Sequence, residues 1–360
     1  MLSIYSYKLP FKAPFKTAVG TFTARAGLLI CYEEKKQYFW GEAAPLPGFS
    51  AETVDEINVQ IHAQKSSVKS FLSASFDLNS LNRFIQSTFG APSLQFALSC
   101  LGLDLLSHRE KCTIGDLFGV ESTPQVLVND VIGHTEPAIW NTVISDSINS
   151  GFTCIKIKAI YPFDELAQKL RGIYRNHPNI TYRLDANRSW PKDQSARIND
   201  WISSLPVEYI EEPFSENEEY LLTGSENPFP FPIALDESIH NPLYLEAALK
   251  QPRQIVILKP AFLGNLCDWL GTIQTYRSSF SNIVVTTALE TAIGRTAIAG
   301  LAGLIGCRNR SHGLNTGKLF RDDLFPVSEI RGGRIDLPLQ DLKSISPKHL
   351  NTEYIFLSDF

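Results

Sequence analysis

The sequence predicts an α/β protein in which a (β/α)8-type barrel follows a smaller α+β unit. Three observations carry that prediction. From residue 124 onward, short apolar strands alternate with amphipathic helices. No glycine-rich fingerprint follows the first of these strands, which favours a closed barrel over an open nucleotide-binding sheet. Charged residues also recur at the strand ends about every 25 residues, the length of one strand, one helix and two short loops.

The first part of the chain does not alternate. Residues 25–33 and 37–43 read as a hairpin around the turn Glu34–Lys35–Lys36. Helices are expected over 51–72 and 93–109, the second with Ser93 as its N-cap and with Phe96, Ala97, Cys100 and Leu101 as one apolar stripe. This unit is assigned residues 1–117. In the barrel, assigned 118–316, strands are expected at 125–130, 154–159, 182–186, 208–212, 233–237, 255–259 and 283–288, with a weaker eighth at 312–316. Between them lie helical stripes that would pack on the strands: Leu166, Leu170, Ile173; Ile198, Trp201, Ile202, Leu205; Leu266, Trp269, Leu270, Ile273; and Ile298, Leu301, Ala302, Ile305. The tail, 317–360, returns to short β-like pieces after a Gly332–Gly333 turn and is expected to pack back on the first unit.

A chain of 360 residues with 44% hydrophobic and 20% charged residues can bury a large core. Its net charge of −5 supplies no basic field, so nucleic acid is not an expected partner. The six cysteines show no metal-type spacing and read as reduced thiols. The amino-terminal residues lack the charged-then-apolar pattern of a signal peptide and no apolar run reaches membrane length, so a cytoplasmic location is expected. Oligomeric state, monomer or homodimer, is left open.

The chemistry lies in the charged strand ends. Asp185, Glu211 and Asp236 close three successive strands, while Lys156 and Lys158 lie on one strand and Lys259 ends another. Strand ends of a (β/α)8 barrel converge on one mouth, where active sites form. Lys156 and Lys158 are two residues apart and share a strand face, as do Arg183 and Asp185. A lysine can be a general base at neutral pH if a neighbouring ammonium, a divalent cation or desolvation disfavours its charged form. Three oxygen ligands without histidine or cysteine suit Mg2+, or Mn2+, better than Zn2+. Singly, Asp185 or Asp236 reads as a helix cap, and each lysine as one half of an ion pair. Glu212 reads as a structural partner, and His240 and His312 as capping or surface groups.

In order and spacing, the segments KIK, LDAN, EEP, LDES and LKP resemble the enolase superfamily, in its muconate-lactonising subgroup. Pairing a lysine base with Mg2+ is a known pattern of such sites. The resemblance covers nearly the whole chain and implies that the first unit caps the barrel mouth. Pro45–Ser50, the RLDANRSW segment 183–190 and the pattern Leu258–Lys259–Pro260 with Leu263–Gly264–Asn265 resemble the o-succinylbenzoate synthase family within it. That likeness implies Asp185, Glu211 and Asp236 as Mg2+ ligands and Lys158 as general base. It implies Lys259 as a cationic stabiliser on the opposite side, and Lys156 as a group that holds the substrate carboxylate and tunes Lys158. Arg183, Thr286, Thr287, Glu290 and Phe49 would contact a small-molecule carboxylate substrate. The implied reaction is a hydro-lyase step, the syn dehydration of 2-succinyl-6-hydroxy-2,4-cyclohexadiene-1-carboxylate in menaquinone biosynthesis. Two departures stand out: Thr286–Thr287 where the family often has serines, and Asn315 where an aspartate is common.

The main rival is an N-acylamino acid racemase or dipeptide epimerase, which shares the two-lysine arrangement. Dipeptide epimerases tend to carry an acidic pair after the eighth strand, where this chain has Asn315 and Lys318. A metal-dependent binding protein without catalysis and a phosphoglycerate-type hydratase fit less well, the latter because no phosphate loop is visible.

Overall fold

The computed structural model describes residues 1–17, 20–133, 139–215, 227–239, 242–251, 254–275, 282–326, 330–337 and 341–358. The cap begins with a strand that sequence periodicity did not single out, β1 (Leu2–Thr17), paired antiparallel with β2 (Gly20–Glu34). β3 (Gln37–Ala43) completes the expected hairpin, whose two-residue turn holds Lys35 and Lys36 at φ 50° and 66°. Positive φ at both central residues matches the right-handed twist of the strands. Of the region assigned one helix, α1 (Val54–Ala63) and α2 (Lys65–Ser73) form two, the first opened by a Thr53–Glu56 capping box. α3 (Leu78–Thr88) follows, a helix the sequence reading passed over.

α4 (Pro92–Glu110) starts at Pro92 with Ala91 as N-cap, so Ser93 is inside the first turn and is not the cap. Proline fits there because the first-turn N–H has no helical partner to lose. α4 is buried nearly all round, and its stripe residues Phe96, Ala97 and Leu101 are inaccessible. It lies so close to β3 that a Cβ on Gly41 would stand 2.0 Å from the Ala97 carbonyl oxygen.

After the short α5 (Ile114–Phe118) comes the barrel. The stretch expected as a single strand over 125–130 is two elements. β4 (Gln125–Leu127) pairs antiparallel with β12 (Arg334–Asp336) of the tail, and β5 (Asp130–Ile132) starts the parallel sheet. That sheet runs β5, β6 (Cys154–Lys158), β7 (Thr181–Asp185), β8 (Val207–Glu211), β9 (Ile233–Leu235), β10 (Gln254–Leu258), β11 (Ile283–Val285). The weak eighth strand is reduced to bridges from His312 to Val128 and from Gly313 to Thr286, and these link the two sheet edges into a ring. Residues 315–319, the first two of which belong to the expected strand, form a 3-10 helix instead.

Helices α6 (Trp140–Asn149), α7 (Asp164–Asn176), α8 (Ser195–Ile202), α9 (Pro242–Leu249), α10 (Pro260–Leu263), α11 (Leu266–Thr275) and α12 (Ala292–Ile305) accompany the strands. Leu166, Leu170, Ile173, Ile198, Ile202, Leu270, Ile273, Ile298 and Ile305 are all buried, as the 3.6-residue period requires. The tail divides: β12 closes the barrel's lower end, whereas β13 (Ile355–Leu357) adds to the cap sheet beside β1. Among the described residues, no helix is long and apolar enough to cross a membrane.

Cap and barrel are joined through a buried carboxylate. Glu42 of β3 accepts from Thr291 N (2.9 Å), Thr291 Oγ1 (2.6 Å), Gly294 N (2.8 Å) and Tyr7 OH (2.6 Å). It thereby meets the unpaired N–H groups and positive dipole end of α12. Beside it, burial and the Glu42 charge push the Glu290 carboxyl up to about 7.

Gly41→Ala should lower stability by about 3 kcal/mol, the upper range for overpacking, because the obstacle is backbone. Gly90→Ala, with no neighbour within 4 Å, is the control expected near zero in urea unfolding. The raised Glu290 pKa also sets a pH slope. An unfolded glutamate titrates near about 4.3, so above that pH the native state holds the extra proton and stability falls as pH rises toward 7. Between pH 5 and 8 the wild type should lose ~2–3 kcal/mol more than Glu290→Gln in the same unfolding measurement.

Candidate active site

The carboxylates sit where parallel register puts them. Lys158 lies opposite Asp185 across β6 and β7, and Asp185 opposite Glu211 across β7 and β8. Asp236 directly follows β9, and Lys259 follows β10 as the residue preceding α10. β6 and β10 stand four strands apart in the ring, so Lys158 and Lys259 approach the mouth from opposite sides.

Lys156 Nζ bridges two carboxylates, at 3.0 Å from Asp185 Oδ2 and 2.5 Å from Glu211 Oε1. Lys259 Nζ lies 2.5 Å from Asp236 Oδ2. Burial alone would lower the Lys156 pKa, but Asp185, Glu211 and Asp236 outweigh it and hold the ammonium form well above its ordinary range. Lys259 is raised in the same way, with burial opposed by Asp236 and Glu237. Glu211 is pushed well above the usual carboxylate range by burial and by the other two acids, with Lys156 opposing. Lys158 is exposed and, among the described residues, makes no ion pair. The two β6 lysines therefore share a strand face but not a role, since Lys156 is committed to the acids.

Among the described residues, no three acidic, imidazole or thiol groups are gathered closely enough to form a ready metal cage. Two features nonetheless fit a cation bound by oxygen. Glu211 Oε2 is buried without a hydrogen-bond partner. The positive charge that neutralises the cluster is the Lys156 ammonium, held directly between Asp185 and Glu211.

Glu212 organises the loops around this cluster. Its Oε1 accepts from Asp236 N (2.8 Å) and Ser238 N (2.9 Å), and its Oε2 from Ser238 Oγ (2.9 Å) and Arg188 Nε (3.3 Å). Arg188 N donates in turn to the Glu212 carbonyl at 2.7 Å. Three strand ends are thus tied together, with Asn187, Arg188 and Glu212 all at positive φ (42°, 60°, 40°). Such backbone persists only where its surroundings over-determine it.

Arg183, expected at the substrate, is wholly inaccessible. It donates to Glu208 Oε2 (2.7 Å) and Asn129 Oδ1 (2.9 Å) and lies over the Tyr209 ring at 4.7 Å, inside the barrel below the carboxylates. Arg183 lies two residues before Asp185 and so one layer deeper, and a register shift supplies its partner: Tyr182 pairs with Val207 but Arg183 with Tyr209, so Glu208 is an extra residue free to reach Arg183 and Arg310. Glu290 is likewise out of a ligand's reach, 1% exposed, with its carboxylate accepting from Ala288 N. Thr287 is buried, and its hydroxyl bonds the Gly313 carbonyl (3.0 Å) and Thr316 Oγ1 (2.8 Å). Thr286 is half-buried, and its hydroxyl has no partner. Phe49 is 38% exposed at the mouth, stacked on Phe262. His312 is a core group, not a surface one: Nδ1 accepts from Val285 N, and burial drives its pKa down to about 3. His240 lies outside the described residues.

Sequence reasoning missed Glu237 and Phe262. The Glu237 carboxyl is pushed up to about 7 by burial and by Asp236, and Asn187 Nδ2 donates to it at 3.3 Å. Its position directly after Asp236 was the only available signal. Lys318 pairs with Asp130 and donates to the Val131 carbonyl, and Asn315 also donates to Asp130.

Residues 1–105 match the family described as MenC, N-terminal domain, and residues 143–340 match the family described as Enolase C-terminal domain-like. The o-succinylbenzoate synthase of Escherichia coli (strain SMS-3-5) is 23% identical over 302 residues, 83% of this chain and 85% of that protein. Among solved structures, MenC of Desulfotalea psychrophila LSv54 is 24% identical with a TM-score of 0.73, covering 93% of this chain and 99% of the other. The substrate-liganded L-Ala-D/L-Glu epimerase of Bacillus subtilis is 19% identical with a TM-score of 0.80, covering 95% and 97%. An enolase superfamily member from Roseovarius nubinhibens ISM complexed with magnesium is 18% identical with a TM-score of 0.78, covering 99% and 98%. At these identities the structures testify to the fold. The barrel match spans more than half of the chain, and the chain belongs to the enolase superfamily.

Proposed function

We propose that this protein is a Mg2+-dependent o-succinylbenzoate synthase, dehydrating 2-succinyl-6-hydroxy-2,4-cyclohexadiene-1-carboxylate. The observation that carries the reading is the placement of an exposed lysine, Lys158, and a carboxylate-held lysine, Lys259, on opposite sides of a three-carboxylate mouth. Synthases as relatives, and a MenC-type match over the cap, support it. Asp185, Glu211 and Asp236 would hold the metal, which when bound supplies positive charge to the substrate carboxylate.

Lys158 takes the proton from the carbon beside that carboxylate and returns it to the departing hydroxyl on the same face, giving syn elimination. Lys259 presents its ammonium to the other face of the ring, and Lys156 keeps the carboxylates from repelling the anionic substrate. The new ring is aromatic, so orientation supplies much of what the step needs. Phe49 at the rim is the contact left for the rest of the substrate, because the Thr286 hydroxyl, though unengaged, is buried.

Racemisation or epimerisation is the second reading, favoured by the same opposed lysines and by the epimerase fold neighbour. The segment after the eighth stave argues against a substrate bearing an ammonium group. Its Asn315 and Lys318 are donors to Asp130, so that acid is already occupied.

Ultraviolet detection of o-succinylbenzoate should show turnover with Mg2+ and none after chelation. A higher kcat/KM for N-acylamino acid or dipeptide epimerisation on the same preparation would overturn the synthase reading. Lys158→Ala should cut turnover by at least ~100-fold, the scale of a lost general base, while calorimetry still shows Mg2+ binding. Retained activity in that variant would remove Lys158 from its role.

A further inference from the structure

We propose that Arg25 is a positioning residue that latches the cap's mouth turn to the loop after the seventh barrel strand, and thereby holds Phe49 over Lys259. Arg25 sits on β2 and is 3% exposed. Its guanidinium donates to three backbone carbonyls: Nη1 to Pro45 at 2.5 Å, Nη2 to Ala44, and Nε to Leu289 at 3.2 Å. The first two open the mouth turn and the third belongs to the barrel. Leu289 is held at φ 69°, a conformation a branched side chain adopts only under constraint.

The turn that follows is stiff. The Leu46 carbonyl accepts from Phe49 N (3.0 Å) and Ser50 N (2.8 Å), and Ser50 Oγ accepts from Leu46 N (2.9 Å). Fixing its first two residues therefore fixes Phe49. That ring lies nearly parallel to Phe262, with centroids 6.4 Å apart, and Lys259 Nζ is 5.9 Å from each centroid. The pair forms an aromatic wall beside the ammonium. A planar guanidinium can serve three carbonyls in a fixed fork, whereas a lysine presents one compact charge. Cap residue and barrel loop are thus joined at a place where a cap side chain overhangs a candidate catalytic group.

Hydrogen exchange in Arg25→Lys tests this without reference to any reaction. Exchange at Phe49, Ser50 and residues 288–291 should rise by about 10-fold or more, the scale of one lost charge-assisted hydrogen bond. The β2 and β3 amides should not change, and guanidinium ion added to Arg25→Ala should restore part of the protection. Unchanged exchange in the turn, or an equal rise across β2 and β3, would overturn the latch. Should both variants fail to fold, the wild type decides: turn and loop must open with the same free energy and urea slope, below that of β3, and separate openings sink the proposal. The kinetic arm rests on the synthase reading: KM should rise about 10-fold with kcat kept within about 3-fold, whereas a fall in kcat at unchanged KM would count against it. Absence of synthase turnover would fell only that reading and leave the exchange results to judge Arg25.

Discussion

Like charges confined in a water-poor space govern this molecule. Asp185, Glu211 and Asp236 end neighbouring parallel strands, so the sheet register itself forces three carboxylates toward one another. Uncompensated, such a group is costly at the dielectric of a barrel interior. The protein answers with Lys156 between two of the acids and Lys259 on the third. The same arrangement that makes the site costly to fold makes it receptive to a hard cation and an anionic substrate. Repulsion among the acids and attraction to the ammonium groups are two sides of one balance.

Around that balance the structure adds restraint in layers. Glu212, at the end of β8, collects four donors from the ends of the two flanking strands and holds Asp236 through that residue's backbone N–H. Below, the Arg183–Glu208–Arg310 chain places paired charge inside the barrel beside the apolar cluster of Tyr209, Ala234, Ile255, Ile257 and Val284. A bulge at Glu208 leaves that residue outside the strand register, and its carboxylate joins the two guanidinium groups. Arg183 therefore supports the site from beneath.

The cap is fastened by charge aimed at backbone. Glu42 meets the N-terminal amides of α12, and Arg25 meets carbonyls of both units. Neither contact depends on the partner's side-chain identity, apart from Thr291 and Tyr7. Such fastening fixes orientation through the directional geometry of N–H and C=O groups, which apolar contact alone does not provide.

The charged strand ends were legible in the sequence because a period of about 25 residues and a period of two along each strand leave little freedom for where a side chain points. The helical stripes were legible for the same reason, and the shared face of Lys156 and Lys158 followed from it. What periodicity could not give was the partner each group takes once the ring closes. Arg183 shares a face with Asp185 but lies two residues earlier, deeper in the barrel, where a bulge in the neighbouring strand, invisible to any local pattern, supplies Glu208 as its partner. The eighth stave shrank to His312 and Gly313 because backbone bridges to 128 and 286 suffice to close the ring. The sequence by itself determined that the three acids, Lys158 and Lys259 come at the strand ends, since alternation is a local property of the chain. Only the tertiary structure decided how their charges pair and how the cap locks over them, because those contacts join residues up to 264 positions apart.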